Sequence, residues 1–433
     1  MFCQLEVLRH CFPSSVRHIL EELPESLDGT YEQILREIRK PNQGHAHRLL
    51  QCLVAAVRPL RVKELAEVLA FDFNAEGIPK LNPGWRWEDK EEAVMSACSS
   101  LVMIVKAGDS RVVQFSHFSV KEFLIANRLA EPIRDVTRYH IRLDAAHTIL
   151  AEACLGVLLR LDDRIDRDSI ENFPLAGYAA QYWPTHARFE KSSSRIKDGM
   201  ECLFDASKPH FATWLWIYGE DWRGRSMTTM SPKKPEAVPL YYAAMLGFHD
   251  LAEHIIAEYP EHVNARGGRE ETPMHVAADA GHADILSLLH EHGADLEGRG
   301  IIGQSPLHRA SADEKLEVGK RLLDLGADIN ARTDDGRTPL YRAAYFGKVE
   351  FTRMLLEHGA RVDTQTNSGE TPLHGAINGI GGVQVMRLLL EHGADVNARD
   401  KSGRTPFQLS PSYKPEVRQL LSEYGAEYAE SVI

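Results

Sequence analysis

The pattern of apolar and polar positions repeats about every 33 residues in the second half of the chain. Thr-Pro or Ser-Pro pairs begin at residues 272, 305, 338, 371 and 405, so successive pairs are 33, 33, 33 and 34 residues apart. Each pair opens a short apolar segment such as TPLYRAAYFGK, and most are followed by a leucine-rich segment with an ending such as LLEHGA. A degenerate copy, VPLYYAAMLGF, precedes them at residues 238–248. The pattern predicts six stacked pairs of short helices between residues 236 and 433.

The fourth copy shows why these residue types recur. Thr338 suits a helix N-cap, and Pro339 at the first helical position has no N–H group to leave unpaired. Ala343 and Ala344 are small, so that neighbouring helices can approach closely, and Gly347 can adopt the positive φ that ends a helix. Each helix is too short to be stable alone, so burial against neighbouring copies must supply the stability.

Three copies depart from the pattern. The third has Glu314 where the helix-ending glycine is expected, so we expect this turn to be strained or reshaped. The fifth carries one extra residue in INGIGGVQ, which accounts for the 34-residue step. The last breaks down at residues 410–412, and its second helix, EVRQLLSEYGAEY, is polar on one side. A polar outer side is what a terminal, capping repeat requires.

The first half of the chain contains no such repeat and is mostly helical in pattern. Helices are predicted over residues 23–38 and 58–72, and two extended runs with a following helix over residues 99–126. Helix, helix, hairpin and helix in this order predict a winged helix. Further helical patterns over residues 136–235 are expected to bridge it to the first repeat. The expected domains are therefore residues 1–135, 136–235 and 236–433.

The repeated segments over residues 236–433 resemble the ankyrin family. The resemblance implies a mainly α fold: an ankyrin-repeat α-solenoid of helix-turn-helix units with β-hairpin tips, behind a winged-helix-like and helical amino-terminal region. In this family partners usually dock on the hairpin tips and on the exposed face of the first helix. By position, the tips are Ile301, Ile302, Gln304, Asp334, Asp335, Arg337, Asn367, Ser368, Glu370, Lys401 and Arg404. The corresponding first-helix positions are Asp279, Asp313, Tyr345, Phe346 and Asn378.

Four of these residues stand out because they are apolar. Ile301, Ile302, Tyr345 and Phe346 are the aliphatic and aromatic types from which binding hot spots are made, provided that their side chains are exposed. The alternative is that they pack against a neighbouring repeat or the amino-terminal half. The remaining positions are polar, as solvated surface residues would be.

A second resemblance lies in the first half, over roughly residues 20–135. The segments LPESLDGTYEQIL, PLRVKELAEVL and VQFSHFSVKEFL are similar to the region that follows the NACHT nucleotide-binding module in fungal NOD-like (STAND) proteins. Those proteins carry ankyrin or other repeats as sensors, so the resemblance implies self/non-self or innate-immunity-like sensing. It also implies a nucleotide-binding module upstream of residue 1.

Within this chain, nothing matches a phosphate-binding P-loop. Neither Gly-Lys pair, at residues 319–320 and 347–348, is followed by the hydroxyl residue that such a loop needs. By resemblance, His117 corresponds to a winged-helix histidine that contacts the phosphates of bound ADP in NOD-like receptors. The alternative is a histidine packed between the hairpin and the following helix.

Composition and charge narrow the remaining possibilities. The formal net charge of −12 argues against a nucleic-acid partner, and we expect Trp85 and Trp87 to cover the edge of the winged helix rather than to stack on bases. No apolar stretch is long enough for a membrane span, and the amino terminus lacks a signal-peptide pattern. Six cysteines without C-x-x-C spacing are typical of reduced cytosolic thiols. Most of the 20 histidines recur a full repeat apart, so no metal is expected.

These observations favour a non-enzymatic adaptor, cytoplasmic or also nuclear, that binds other proteins through its repeats. We expect no cofactor and no small-molecule substrate. Two alternatives stay open: the chain is the sensor part of an ATP-driven signalling NTPase, or it is a substrate adaptor for a ubiquitin ligase. The sequence shows no recruiting box for such a ligase.

Overall fold

The fold is taken from a computed structural model, which describes residues 26–98, 100–130, 136–189, 194–223, 231–232, 235–410 and 415–427. Contacts between Cα atoms divide the chain into two compact units, residues 1–235 and residues 236–433. Each unit is built on its own hydrophobic core.

Helices dominate the described part of the first unit. They are α1 Leu27–Glu37, α2 Gln43–Ala55, α3 Val62–Val68, α4 Lys90–Cys98, α5 Phe118–Ile125, α6 Leu143–Leu158, α7 Ala176–Ala187, α8 Ser194–Phe204 and α9 His210–Arg223. The strands are β1 Phe71–Asp72, β2 Lys80–Leu81, β3 Val102–Ala107 and β4 Ser110–Phe115. Strands β1 and β2 form one antiparallel pair, and β3 and β4 form another.

The hairpin of β3 and β4 is the centre of the predicted winged helix. Its register runs from Val102 opposite Phe115 to Ala107 opposite Ser110. The segment before α3 joins the outer edge of β4, because the Val113 N–H group donates to the Leu60 carbonyl at 2.9 Å. Helix α5 then follows the hairpin directly, so the order of elements is the one that the sequence predicts.

Two helices of this unit differ from the sequence prediction in their bounds. The helix predicted over residues 58–72 is confined to α3, because the residues before it pair with β4 and Phe71–Asp72 pairs with Lys80–Leu81. The helix predicted over residues 23–38 begins at Leu27, where the Ser26 hydroxyl accepts the Gly29 N–H group at 3.1 Å. Residues 23–25 lie outside the described residues.

A buried carboxylate joins the winged helix to the helices that follow it. Glu67 in α3 accepts the Leu175 N–H group at 2.7 Å and pairs with Arg86. The Arg86 guanidinium in turn donates to the Asn172 carbonyl at 2.8 Å. Burial raises the pKa of Glu67, and both partners favour its charged form. The helices of residues 136–223 therefore pack on the winged helix within one unit.

Within its described residues, the second unit is a stack of six helix pairs, numbered here as repeats 1 to 6. The first helices are α10 Pro239–Leu246, α12 Pro273–Ala280, α14 Pro306–Ala312, α16 Pro339–Tyr345, α18 Pro372–Asn378 and α20 Pro406–Leu409. The second helices are α11 His249–Glu258, α13 Ala283–Glu291, α15 Leu316–Asp324, α17 Val349–Glu357, α19 Val383–Glu391 and α21 Pro415–Glu423. First helices pack on first helices and second helices on second helices along the stack.

The caps predicted for repeat 4 are confirmed. The Thr338 hydroxyl accepts the Tyr341 N–H group at 3.2 Å, and Pro339 is the first helical residue. Ala343 and Ala344 are completely buried between neighbouring first helices. After the helix ends, Gly347 adopts a φ of 68°.

The structure describes two of the three predicted departures from the repeat pattern in full and the third in part. Glu314 adopts a φ of 57° in place of the expected glycine, so the turn in repeat 3 is strained. In repeat 5 the extra residue extends the loop between Asn378 and Val383. The break in repeat 6 falls partly on residues 411–414, which lie outside the described residues.

The tips between repeats are compact turns rather than regular β strands in the described structure. Each is closed by a backbone bond, such as that from the Thr333 N–H group to the Arg337 carbonyl at 3.0 Å. Neighbouring tips are joined in turn, since the Asp334 N–H group donates to the Ile302 carbonyl at 3.0 Å. The tips therefore form one connected edge of the second unit.

A histidine in the first turn of the helix connects one repeat to the next. In repeat 3, Nδ1 of His308 accepts the Ser305 N–H group at 3.2 Å and lies 2.9 Å from the Ser305 hydroxyl. This arrangement places the ring proton on Nε2, which donates to the Arg337 carbonyl of the following tip at 3.0 Å. One side chain thus caps its own helix and fixes the next tip.

The same connection recurs at the other junctions, with a tyrosine in place of histidine at two of them. The bonds join His275 to the Gln304 carbonyl (2.9 Å), His374 to the Arg404 carbonyl (3.2 Å), Tyr341 to the Glu370 carboxylate (2.8 Å) and Tyr241 to the Glu271 carboxylate (3.5 Å). These histidines therefore have a structural role in the stack.

Because His308 is buried at this junction, we expect the second unit to lose stability on acidification. Burial lowers the pKa of His308 to about 4, whereas an unfolded histidine titrates near 6.5. The stabilisation is complete above pH 6.5 and is lost as the pH falls from 6.5 towards 4, because the unfolded chain then binds the extra proton. Between pH 7.5 and pH 5 we expect His308 alone to account for a loss of about 2 kcal/mol in unfolding free energy.

The matched variant is His308→Gln, since Gln408 holds the same position in repeat 6 and accepts the Thr405 N–H group at 2.9 Å. Urea unfolding followed by far-UV circular dichroism at both pH values should show a pH-dependent loss smaller by about 2 kcal/mol. All six tryptophans lie before residue 236, so fluorescence reports the first unit separately. An unchanged pH dependence in His308→Gln would contradict the assignment.

Candidate functional site

The predicted apolar tip of repeat 3 is exposed. The side chains of Ile301 and Ile302 are 43% and 52% accessible to solvent. They lie in a short 3-10 turn, Ile301–Gly303, in which Ile302 adopts a φ of 51°. A β-branched residue in the left-handed region is strained, so the turn holds this side chain outward at a cost in stability.

Gln304 does not lie at an exposed tip as expected. Its side chain is only 4% accessible, because the residue sits at the base of the turn, where its carbonyl accepts bonds from both Gly300 and His275. Its side-chain oxygen Oε1 is buried and has no hydrogen-bond partner among the described residues. The backbone of Gln304 is therefore part of a repeat junction.

The two aromatic side chains predicted to be exposed are half-buried. The rings of Tyr345 and Phe346 lie edge to face with their centroids 5.2 Å apart, and the Arg342 guanidinium lies 5.5 Å from the Phe346 centroid. The loop of repeat 5 approaches them closely: a Cβ atom at Gly379 would lie 2.2 Å from the Tyr345 carbonyl oxygen. Only glycine fits at that position without a shift of the backbone.

Beside these rings lies the most exposed large apolar side chain among the described residues. Ile380 is 76% accessible, and its N–H group donates to the Tyr345 carbonyl at 2.9 Å. Sequence reasoning missed it, although an aliphatic residue between glycines in the extended INGIGGVQ loop was a usable signal. We call Tyr345, Phe346 and Ile380 the aromatic patch.

The polar residues predicted at the tips mostly bind neighbouring residues of the stack. The contacts are Asp334 with Arg299 (2.5 Å), Asn367 with the Asp334 carbonyl (2.8 Å), Asp335 with Arg337 (3.0 Å), Glu370 with Tyr341 (2.8 Å) and Asn378 (2.9 Å), and Arg404 with Asp400 (2.8 Å). These side chains are thus partly occupied in holding neighbouring tips together. On the first helices, Asp313 is exposed.

A partly buried ion-pair network in repeats 2 and 3 was not predicted. Arg309 on α14 reaches Glu271 at 3.3 Å and Asp279 at 3.2 Å, and the Tyr241 hydroxyl lies 3.5 Å from Glu271. Glu271 is buried, and its burial raises its pKa while the charge of Arg309 opposes that shift. Two carboxylates from one repeat thereby neutralise the arginine of the next.

His117 caps a helix rather than packing between the hairpin and the helix. Its side chain is exposed, and Nδ1 accepts the Ser119 N–H group at 3.3 Å at the start of α5. The Ser119 hydroxyl also lies within hydrogen-bond distance of the Tyr31 hydroxyl, at 2.8 Å. This geometry gives His117 a structural role at the turn between the hairpin and α5.

Trp85 and Trp87 remain about half exposed instead of covering the edge of the winged helix as expected. They flank Arg86, whose guanidinium points inward to Glu67.

The following statements on metal sites, thiols and membrane-spanning helices refer to the described part of the chain. No group of three or more His, Cys, Asp and Glu residues there has the arrangement to hold a metal ion. Cys52, Cys98 and Cys154 are buried free thiols, and burial raises the pKa of Cys52 and of Cys98 to about 12. No helix in the described ranges combines the length and apolar character needed to cross a bilayer.

Comparison with protein-family models gives two matches. Ankyrin repeats match residues 240–333 and 307–400, and the winged helix domain of GPI inositol-deacylase matches residues 31–133. Both matches fall on the segments whose helices and hairpin are described above. The chain contains ankyrin repeats and a winged-helix domain. It is mostly helical, as the sequence predicts.

Individual proteins are similar over parts of the chain. Azaphilone pigments biosynthesis cluster protein L from Monascus ruber is 30% identical over 294 residues, which cover 64% of this chain and 61% of that protein. Ankyrin repeat and SAM domain-containing protein 6 from Mus musculus is 36% identical over 74 residues, 16% of this chain and 8% of that protein. The chain thus spans less than two thirds of the length of either relative.

Among solved structures, an ankyrin repeat domain from Acinetobacter baumannii AYE is 34% identical, with a TM-score of 0.40. The match covers 44% of this chain and 98% of that domain.

The network around Arg309 predicts that Glu271→Gln destabilises the ankyrin repeats. The half-buried guanidinium keeps Asp279 but loses the carboxylate that is buried with it, so we expect a loss of about 1–3 kcal/mol. Urea unfolding followed by circular dichroism measures the change. Glu270→Gln is the matched control, because this neighbouring carboxylate is exposed and its pair with Arg266 contributes little. Equal losses in the two variants would contradict the role of Glu271.

Proposed function

We propose that the chain is a non-enzymatic adaptor that holds a partner protein against repeats 3 to 5. Ankyrin repeats generally mediate binding to other proteins, and repeats of this type are typically non-catalytic. The binding surface proposed here is the first-helix face, defined as the exposed sides of the first helices together with the adjoining tips. The observation that carries the proposal is the aromatic patch with its exposed Ile380.

Two physical features make this patch suited to binding. Its aromatic rings are held by each other and by the backbone of the repeat 5 loop, so that little conformational freedom is lost when a partner covers them. Its aliphatic side chain is exposed to water in the free chain, and covering it is favourable. Rigid aromatic residues next to an exposed aliphatic group have the composition of an interface hot spot.

We further propose that the chain is the sensor arm of a STAND-type protein of self/non-self or innate-immunity-like recognition. The support is the succession of a winged-helix segment at residues 31–133, a helical region and an ankyrin stack in one chain. In such a design the repeats select the ligand, and a nucleotide-binding module transmits the signal. His117 would be the residue that faces the nucleotide in that assembly.

The first proposal predicts that Tyr345→Ala and Ile380→Ser weaken partner binding without unfolding the stack. Each removes an exposed or half-exposed group, and a hot-spot residue contributes about 2 kcal/mol, or roughly thirtyfold in Kd. Immobilised full-length chain is used to capture partners from an extract of the source cells, and the captured protein is then titrated against each variant.

Arg353→Ala on the second helix of repeat 4 is the matched control, since this arginine is exposed and its pair with Glu350 contributes little. Equal binding by all variants would place the partner elsewhere. Loss of helical circular dichroism in Tyr345→Ala would show that this side chain is part of the core.

The STAND proposal predicts that this chain alone does not bind nucleotide with micromolar affinity, because it contributes no P-loop. Isothermal titration calorimetry with ADP, and with ATP and Mg²⁺, measures this directly. Micromolar binding that is lost in His117→Ala would instead make the chain itself the nucleotide-dependent switch.

A further inference from the structure

Arg342 in repeat 4 lacks the partners that its counterpart in repeat 3 possesses. It lies 33 residues after the arginine that pairs with Glu271 and Asp279. The residue 33 positions after Glu271 is Gln304, which is neutral. The residue 33 positions after Asp279 is Ala312, which has no polar group. Both carboxylates of the network are therefore missing at the junction of repeats 3 and 4.

The surroundings of Arg342 agree with this comparison. Its side chain is half-buried, and Nε is buried without a hydrogen-bond partner among the described residues, as Nε of Arg309 also is, so the two arginines differ in their carboxylate partners alone. Burial and then the positive charges of Arg309 and Arg337 lower the pKa of Arg342 to about 10. A desolvated guanidinium beside two other cations is an unfavourable arrangement in the free chain.

No described carboxylate forms an ion pair with Arg342. Asp313 and Asp335 favour its charged form only at longer range, and Asp335 pairs with Arg337 at 3.0 Å. Glu370 accepts bonds from a tyrosine hydroxyl and an asparagine amide of its own neighbourhood. The positive charge of Arg342 thus remains available for an anion supplied from outside.

The available charge borders the aromatic patch. The Arg342 guanidinium lies over the ring of Phe346, which contacts Tyr345, whose carbonyl binds the backbone of Ile380. A single segment of a partner can therefore contact the cation and the apolar surface together.

We propose that the partner presents an aspartate or glutamate side chain to Arg342 and a neighbouring apolar side chain to Tyr345 and Ile380. This proposal rests on the proposed function and specifies the chemistry of the partner. A carboxylate matches the planar guanidinium and can accept two bonds from it. The proposal also accounts for Gln304, because a glutamate at this position would itself pair with Arg342 and leave no free charge for a partner.

The test uses the full-length chain and a phage-displayed library of linear 12-residue peptides. We expect enrichment of sequences with an acidic residue next to an aromatic or aliphatic residue. The selected peptides should bind the variants Arg342→Gln and Gln304→Glu at least about tenfold more weakly, the second because it supplies the carboxylate in cis. Arg353→Gln serves as the control and should bind normally. Replacing the acidic residue of the peptide by its amide should give a similar loss.

Thermal unfolding provides a second readout that does not need a ligand. If Gln304→Glu neutralises Arg342, its Tm should rise by a few degrees, whereas Arg353→Gln should leave the Tm unchanged. An unchanged or lower Tm of Gln304→Glu would show that position 304 is not the missing partner, and would overturn the proposal.

Two outcomes of the binding test also overturn the inference. One is selection of peptides without acidic residues, and the other is equal binding of acidic peptides by the wild type and Arg342→Gln. Neither affects the proposed function, which is judged by whether Tyr345→Ala and Ile380→Ser release the native partner. If those variants retain the partner while acidic peptides still depend on Arg342, the proposed function fails and the anion site stands.

Discussion

The hydrogen bond from an imidazole in one repeat to a carbonyl of the next tip fixes the geometry on which the proposed binding surface depends. At the junction of repeats 3 and 4, His308 holds its own helix start through Nδ1 and the Arg337 carbonyl through Nε2. The residue before each Thr-Pro or Ser-Pro pair thus has its backbone committed to the stack. At the junctions with histidine its side chain is free to vary, whereas at the other two a tyrosine of the preceding repeat binds that side chain, Glu271 or Glu370.

Because the backbone at this position is fixed while the side chain varies, repeats of the same fold can carry different surfaces. Before the first helix of repeat 2 this residue is Glu271, which pairs with Arg309. At the same position in repeat 3 it is Gln304, which leaves Arg342 without a carboxylate. The change from Glu271 to Gln304 is compatible with the bond from His275, since the acceptor of that bond is the Gln304 carbonyl and not its side chain. The ankyrin stack can therefore change its charge pattern without changing its architecture.

The sequence predicts those features that depend on local chemistry. The phase of the repeats, the cap at Thr338, the left-handed turn at Gly347 and the strain at Glu314 all follow from residue type and spacing. The hairpin and helix of the winged-helix domain follow in the same way.

Features that depend on contacts between distant residues were missed or wrong. The burial of Gln304 results from a bond to a histidine 29 positions earlier, which no local pattern indicates. The exposure of Ile380 results from the path of an extended loop against Tyr345. The shortened α3 results from strand pairing on both sides of it. His117 is different, since its position results from a local cap with Ser119 at the start of α5.

Repeat 3 has two non-glycine residues in the left-handed region, Ile302 before its first helix and Glu314 after it. Each such conformation costs of the order of 1 kcal/mol, so this seven-residue helix is flanked by strain on both sides. In a solenoid each repeat contacts only its neighbours, and opening of repeat 3 therefore separates repeats 1 and 2 from repeats 4 to 6. A partner bound across repeats 3 and 4 opposes that opening by mass action. We therefore expect occupancy of the proposed surface to govern whether the second unit unfolds as one cooperative block or as two.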